Sequence, residues 1–569
     1  MATVNSDLTP LASRWWCGVT LAAYAIMLVA LAFHFSDQIN PDGVAYLRIA
    51  GYYLTGDLGK AVSGYWSPLY SWLLMPWLAM GVPGLLATKL LAACLAVAWV
   101  IGVALLGRRY AESSVTRRLL VATAAVSVLS WSMEVISPDV LLAVVLTFYF
   151  YVVSDPAIMT APARAFACGL LGGLAYLAKA YAFPFFIVHF LGTVTLYTWA
   201  QAGAGASRRY LVGALAGLSG FVMVAAPWIG VLSTTYAQLT ITAAASNRNV
   251  PTSVRRGATN TDRAPFAPGL KLASIESGRL TAWEAPDRVP TRPPAVVSST
   301  LPTAIGPGRM QVLLGNAMVI REHLSDFDYF QLAIATVLGA AFIGLLRSPA
   351  RAVSVPYLWG SFTVILYVLG YLPLWARERR YYWPVVGLLM VLSFALAEQI
   401  TRALTHYAAD TDKRRLTTRR WILLATLIVA FSYVQVGSHW LLYWYRAPFP
   451  SFTGLATRME DEARRRGAAV HGPIAGNDWP NTVHLAYTMR LPSFGSTTTE
   501  DPGLLASELS DLGIRTYLVF NNEALAERLK QSGRFQPLAE LPMNPRGPRP
   551  DTLTAFEVTT IPISGTASK

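Results

Sequence analysis

Long apolar runs separated by short polar breaks dominate the chain. After a short polar tail they fall at roughly 16–36, 84–107, 119–136, 140–154, 163–180, 183–200, 210–232, 329–346, 353–373, 384–400 and 421–444. A helix needs about 20 apolar residues to cross a bilayer, within a range of roughly 17–25. The pattern therefore predicts about eleven transmembrane helices, some near the short limit. The first run ends in HFSDQ and lacks a small-residue cleavage site, so it reads as a retained span and not a signal peptide. The stretch YWSPLYSWLLMPWLAM (65–80) is apolar but short, and Pro68 and Pro76 interrupt it. It reads as a juxtamembrane helix on the outer interface, where Trp and Tyr are well accommodated.

The pattern changes near 447. MEDEARRRGAAV and NTVHLAYTMR have helical periodicity, and DLGIRTYLVF reads as a buried strand. NNEALAERLKQSG reads as a helix with a glycine stop, and TLTAFEVTTI alternates like a strand. The expected organisation is a cytoplasmic tail over 1–15, a transmembrane domain over 16–446 and a small α/β domain over 447–569. Two outer loops are expected within the transmembrane part, over 37–83 and 233–328. The second is rich in Pro, Thr and Arg, and irregular loops of that length are usually functional or disordered.

Composition supports the membrane reading. Hydrophobic residues make up 54% and charged residues 14%, against about 25% charged in an ordinary soluble domain. This excludes a soluble enzyme, a disordered regulator and a fibrous protein. The net charge is +14, from 46 Lys and Arg against 32 Asp and Glu. The excess is what positive-inside loops produce, so nucleic acid is not an expected partner and membrane lipids are. With the N-terminus inside, RRYAESSVTRR, SRRY, RSPAR and DKRRLTTRR all fall on the cytoplasmic side. Cys17, Cys94 and Cys168 lie in apolar stretches with no CxxC, which argues against a disulfide framework or a zinc site. There is no HExxH, Walker loop or dinucleotide-binding glycine motif.

The informative residues are ionisable groups at the outer ends of spans. Asp42 follows the first span and precedes a helical pattern containing Tyr46; it could simply stabilise that helix start. Ser137, Pro138 and Asp139 sit where an outer loop enters the next span, where they also make good helix-start chemistry. Lys179 and Tyr181 lie at an outer tip, where Lys could snorkel to headgroups. Its sign runs against the inside-positive bias. Arg377, Arg379 and Arg380 lie outside beside Tyr381 and Tyr382, as an aromatic belt or as a phosphate clamp. Carboxylates and cations sharing one surface suit a base that deprotonates a hydroxyl and cations that stabilise a phosphate leaving group.

PDGVAYLRIAGYYLTGD followed by GYWSPLYSWLLMPW resembles the first outer loop of the GT-C glycosyltransferases. Within that clan the chain is similar to bacterial relatives of protein O-mannosyltransferases and lipid A aminoarabinose transferases. Asp42 with Tyr46, then Tyr65, Trp66, Pro68, Leu69 and Tyr70, follow the family's order, as do SPDVLLAVVL, GLAYLAKAYAFPFF and ERRYYWPVVGLLMVL. The resemblance covers roughly 15–400. It implies a mainly α, polytopic GT-C fold with juxtamembrane helices in the first outer loop and an extracytoplasmic C-terminal α/β domain. It also implies inverting sugar transfer from a polyprenyl-phosphate donor to an acceptor hydroxyl of a lipid, glycan or protein. The site would face outward from the plasma (inner) membrane. Asp42 corresponds to the family's base and Asp139 to its second-loop acid. Tyr46, Tyr65, Trp66, Lys179, Tyr181, Arg377, Arg379, Arg380, Tyr381 and Tyr382 would bind substrate. Where the family often pairs acids in the first loop, Asp42 is followed by Gly43, with Asp37 a weaker substitute. No metal site is carried over, because two separate carboxylates without a histidine cluster make a weak site for a hard cation. A transporter or flippase of envelope glycoconjugates is the alternative, although transporters place charges near the midplane on broken helices. A non-catalytic assembly protein is a further one.

Overall fold

The computed structural model describes residues 10–200, 206–242, 334–340, 351–371, 378–405, 418–434, 451–497, 499–543 and 551–559. Most of the expected loop 233–328, much of the expected run 329–346 and residues 435–444 of the expected run 421–444 lie outside the described residues. In chain order the helices are α1 (Pro10–His34), α2 (Pro41–Leu54), α3 (Leu58–Ala61), α4 (Leu69–Ala79), α5 (Gly84–Tyr110), α6 (Ser114–Glu134), α7 (Asp139–Val153), α8 (Pro162–Ala178), α9 (Ala182–Ala200), α10 (Ala206–Thr235), α11 (Arg351–Gly370) and α12 (Trp383–Thr405). The C-terminal region adds α13 (Phe452–Arg465), α14 (Trp479–Met489), α15 (Pro502–Asp511) and α16 (Glu523–Gln531). Shorter helical stretches lie at 334–340 and 418–434.

The chain divides into two compact units. The first takes its residues from Met1–Ser36, Pro83–Trp228 and Ile305–Ala447. Here α5 packs on α1, α6, α7 and α12, α7 also packs on α8, and α9 packs on α8 and α11. Among the described residues, four helices are long and apolar enough to cross a membrane: Gly84–Tyr110, Ala182–Ala200, Arg209–Thr235 and Arg380–Ala403. Val19–His34, Asp139–Val153, Pro162–Ala178 and Val355–Gly370 are apolar but shorter.

Large side chains pack inside the bundle, where Trp131 near the end of α6 stacks on Trp383 at the start of α12 at 5.2 Å and meets Trp99 edge-on at 4.9 Å. The helix interiors are less apolar than the sequence suggests. His189 is fully buried between Tyr149 Oη at 2.7 Å and Thr363 Oγ1 at 2.8 Å. Trp359 Nε1 donates to Thr193 Oγ1 at 3.1 Å. Such bonds tie α7, α9 and α11 together where apolar packing alone gives little specificity. Helices α8 and α10 touch backbone to backbone: a Cβ on Gly169 would stand 1.9 Å from the Gly217 carbonyl oxygen, and one on Gly220 2.2 Å from that of Phe166. Only glycine permits this approach.

One end of the bundle gathers ion pairs. Glu398, buried at the end of α12, accepts from the Ser113 N–H at 2.8 Å and pairs with Arg402 at 2.5 Å. Arg402 also reaches Glu112 at 2.8 Å. At the same end Arg109 lies 3.7 Å from Asp155 and over the ring of Tyr151 at 4.4 Å.

The second unit takes its residues from Asp37–Val82, Ile229–Ala304 and Pro448–Lys569. Helix α4 has 11 residues, so it is about 16 Å long, roughly half the hydrocarbon thickness. It cannot cross a bilayer, in keeping with the juxtamembrane reading of 65–80. In the C-terminal region β1 (Ile474–Gly476), β2 (Ser493–Ser496), β3 (Thr516–Phe520), β4 (Phe535–Pro542) and β5 (Thr552–Val558) form one sheet, ordered β2-β1-β3-β5-β4. The β1 pairs are parallel and the β5 pairs antiparallel. Tyr517, Val519, Phe535 and Phe556 on the sheet pack with Leu505, Leu509, Leu525 and Leu529 of α15 and α16.

His484 on α14 is buried, its two ring nitrogens lack a hydrogen-bond partner among the described residues, and it packs edge-on against Phe452 of α13 at 4.8 Å. Burial pulls its imidazole down from 6.5 to about 3. The folded chain therefore keeps His484 neutral while the unfolded chain takes up a proton below about pH 6.5. Stability is retained above that value and lost as pH falls toward 3, by up to about 1.4 kcal/mol per pH unit. His484→Met is expected to flatten this loss. The check compares unfolding midpoints of both full-length proteins at pH 7 and pH 5; equal shifts would contradict it.

Candidate active site

In the first unit, three sequence-expected residues meet at the end of the bundle opposite the Glu398 cluster. Asp139 opens α7, Lys179 follows the last residue of α8, and Arg380 precedes α12. Alternating helix directions bring these junctions to one end. The Asp139 carboxylate is buried and accepts from Ser137 Oγ at 3.0 Å. It also pairs with the Lys179 ammonium and lies 3.6 Å from Arg380 Nε. Arg380 pairs in turn with Glu378, whose side chain is about half exposed. The group holds two positive and two negative charges, so its formal charge cancels.

Tyrosines wall this cluster. Lys179 Nζ sits over the Tyr381 ring at 4.1 Å. Tyr181 stacks on Tyr371 at 3.9 Å, and Tyr371 on Tyr381 at 5.7 Å. Tyr181 Oη donates to the Tyr367 carbonyl at 2.6 Å, and Tyr367 Oη to the Tyr381 carbonyl at 3.0 Å. A Cβ on Gly370 would fall 2.3 Å from Tyr181 Oη, so a side chain there would displace the first ring of the stack. Tyr382 is buried 5.7 Å from Tyr371. Arg377 lies outside the described residues, as does the side chain of Arg379.

Sequence reasoning missed Lys89, Glu378, Tyr367 and the contribution of Tyr371. Lys89 lies in the second turn of α5, is 1% exposed and donates to the Met133 carbonyl at 2.8 Å. Met133 is among the last residues of α6, whose final carbonyls have no partner within the helix. Lys89 thus caps α6 just before the turn carrying Ser137 and Asp139. Its signal was a cation about five residues inside an apolar run, which also matches interfacial snorkelling. Lys89→Met keeps the packing and orphans a buried carbonyl, a loss of roughly 1–3 kcal/mol. Faster amide exchange over 135–140 in this variant is the expected result; unchanged exchange would refute the capping role.

Asp42 lies in the second unit. Asn40 precedes α2 in an extended conformation without a side-chain capping bond, Pro41 opens the helix, and Asp42 lies in its first turn. The N-terminal dipole favours a carboxylate there. Tyr46, one turn on, is buried edge-on against Trp66 at 5.3 Å and Tyr70 at 5.2 Å. Ser71 Oγ donates to the Tyr46 carbonyl at 2.9 Å. Tyr65 is half-buried, 4.6 Å from Trp66. The Gly64 N–H donates to Tyr236 Oη at 2.9 Å, and Thr242 Oγ1 to the Gly64 carbonyl at 3.1 Å. Asp37 accepts from Ser451 Oγ at 2.9 Å, which commits one of its oxygens to the start of α13. Among the described residues no group of three His, Cys, Asp or Glu side chains gathers as a metal site.

No protein-family model matches the chain, and no curated protein matches it. Among solved structures it is similar to ArnT from Cupriavidus metallidurans in the apo state, with a TM-score of 0.53 at 14% identity, over 96% of this chain and 98% of that one. The same protein bound to undecaprenyl phosphate gives a TM-score of 0.51 at 13% identity, over 96% and 98%. An oligosaccharyltransferase from Archaeoglobus fulgidus gives 0.48 at 12% identity, over 91% of this chain and 73% of that one. The chain shares the fold of ArnT.

Proposed function

We propose that this chain is a membrane glycosyltransferase that moves a sugar from a polyprenyl-phosphate donor to an acceptor hydroxyl, with inversion, at the extracytoplasmic face. The observation that carries the reading is the Asp139–Lys179–Arg380 cluster with its tyrosine wall, set at one end of a bundle of apolar helices. A phosphate headgroup held there would leave its polyprenyl tail among apolar side chains, where burial is favourable. Lys179 and Arg380 supply the charge that a departing phosphate needs, with Arg377 and Arg379 nearby in sequence. Asp139 holds both cations in place before the donor arrives, and Glu378 yields Arg380 to the phosphate. In this reading Asp42 removes the acceptor proton while the hydroxyl attacks the anomeric carbon opposite the phosphate. Tyr46 and Trp66 serve by fixing α2 and Tyr65 by binding substrate, while Tyr181, Tyr381 and Tyr382 flank the cations proposed to hold the phosphate.

The test is mass spectrometry of envelope lipids and glycans from cells with and without the protein. Loss of one sugar substituent supports the reading and identifies donor and acceptor; identical profiles would overturn it. Arg380→Ala is expected to raise the donor KM by roughly 10–100-fold, as the loss of a charged hydrogen-bond partner does. An unchanged donor KM would remove Arg380 from the phosphate site.

A further inference from the structure

The C-terminal α/β layer grips α2 from the side opposite the loop-one aromatics. Tyr46 and Arg48 are two residues apart, so they project to roughly opposite faces of the helix. Tyr46 is buried against Trp66 and Tyr70, with Ser71 bonded to its carbonyl. The Arg48 guanidinium lies over the ring of Tyr487 on α14, 5.6 Å from its centroid. Just before α2, Asp37 accepts from Ser451, the residue whose hydroxyl also caps α13 by accepting from the Gly454 N–H at 3.1 Å. Two separate helices of the C-terminal layer thus hold the segment carrying Asp42, one through its lead-in and one through its second turn. Asp42 lies six residues before Arg48 on the same rigid helix, so a shift of one is a shift of the other.

We infer that the C-terminal layer is a brace for the base: it fixes the placement of Asp42 through Arg48–Tyr487 and Asp37–Ser451. Arg48 and Tyr487 are positioning residues, and this rests on the proposed role of Asp42. A base displaced by about 1 Å loses up to about 100-fold in rate. The cations proposed to hold the donor phosphate lie outside α2, so the defect belongs in kcat and leaves the donor KM unchanged.

The experiment uses the full chain in membranes, with whichever undecaprenyl-phosphate hexose or pentose the wild type turns over. Tyr487→Ala and Arg48→Met are each expected to lower kcat by roughly 10–100-fold, with donor KM within about two-fold of wild type. Tyr487→Phe keeps the ring face and restores kcat. A Tyr487→Ala protein with wild-type kcat, or a Phe variant as impaired as Ala, overturns the brace. Unfolding midpoints of the single and double variants give an independent reading: a non-additive shift supports the contact and an additive one overturns it. If the wild type transfers no sugar, the functional reading fails by itself, and the brace stands or falls on that coupling.

Discussion

Asp42→Asn is expected to lower sugar transfer by about 10²–10⁴-fold, the usual contribution of a positioned general base. The substitution preserves side-chain shape, and asparagine is well tolerated at helix starts, so protein levels stay normal. The loss is one of proton acceptance: an amide cannot take the hydroxyl proton as the nucleophile forms. Donor binding is expected to survive, because the cations proposed to hold the phosphate belong to α8, α12 and their junctions. The measurement is initial rate against donor concentration in membranes matched for protein content. Near-normal turnover from the Asn variant would sink the base assignment and leave the fold intact.

Asp139→Asn is expected to damage both folding and activity. The carboxylate is almost fully buried and faces Lys179 and Arg380 together. Neutralising it leaves two cations close together without their shared counter-charge, a loss of roughly 3–5 kcal/mol for a buried pair. The double variant Asp139→Asn with Lys179→Met removes one of those cations. It is expected to recover much of the unfolding midpoint and none of the transfer activity. Recovery of both would make the pair a purely structural element; recovery of neither would mean that Asp139 stabilises the fold chiefly through Arg380 and Ser137. The pair Arg402–Glu398 at the opposite end of the bundle is a useful control, since it should affect stability alone.

The apolar runs were legible because a bilayer-crossing helix leaves a long, one-signed trace. Asp139, Lys179 and Arg380 were legible for the complementary reason: each is an ionisable residue at a span end. What the sequence did not disclose is that they pair with one another. Charge sign marks a residue as unusual but says nothing of its distance from another helix. Lys89 escaped because one lysine near the start of an apolar run has an ordinary explanation at the headgroups, and only its contact with Met133 removes that explanation. In the C-terminal region the long buried strand at 516–520 was readable, whereas β1 and β2, of three and four residues, are too short to show a period. Strand β4 was hidden by Pro537 and Pro542, which read as breakers. The bond between Asp37 and Ser451 joins residues 414 apart in the chain, a distance at which no local pattern carries information.

The glycine seam between α8 and α10 makes the Lys179 end of the bundle fragile to changes made far from it. Gly169 and Gly220 have no room for even a methyl group before meeting backbone. Lys179, the residue that follows α8, lies ten residues beyond Gly169 and about 15 Å along the axis. Widening the seam would swing that end, so a mid-bundle Gly169→Ala would look like an enzymological defect although it touches no charged group. In a mutational survey such positions would cluster with Asp139 and Lys179 by phenotype, although they share with them neither chemistry nor location.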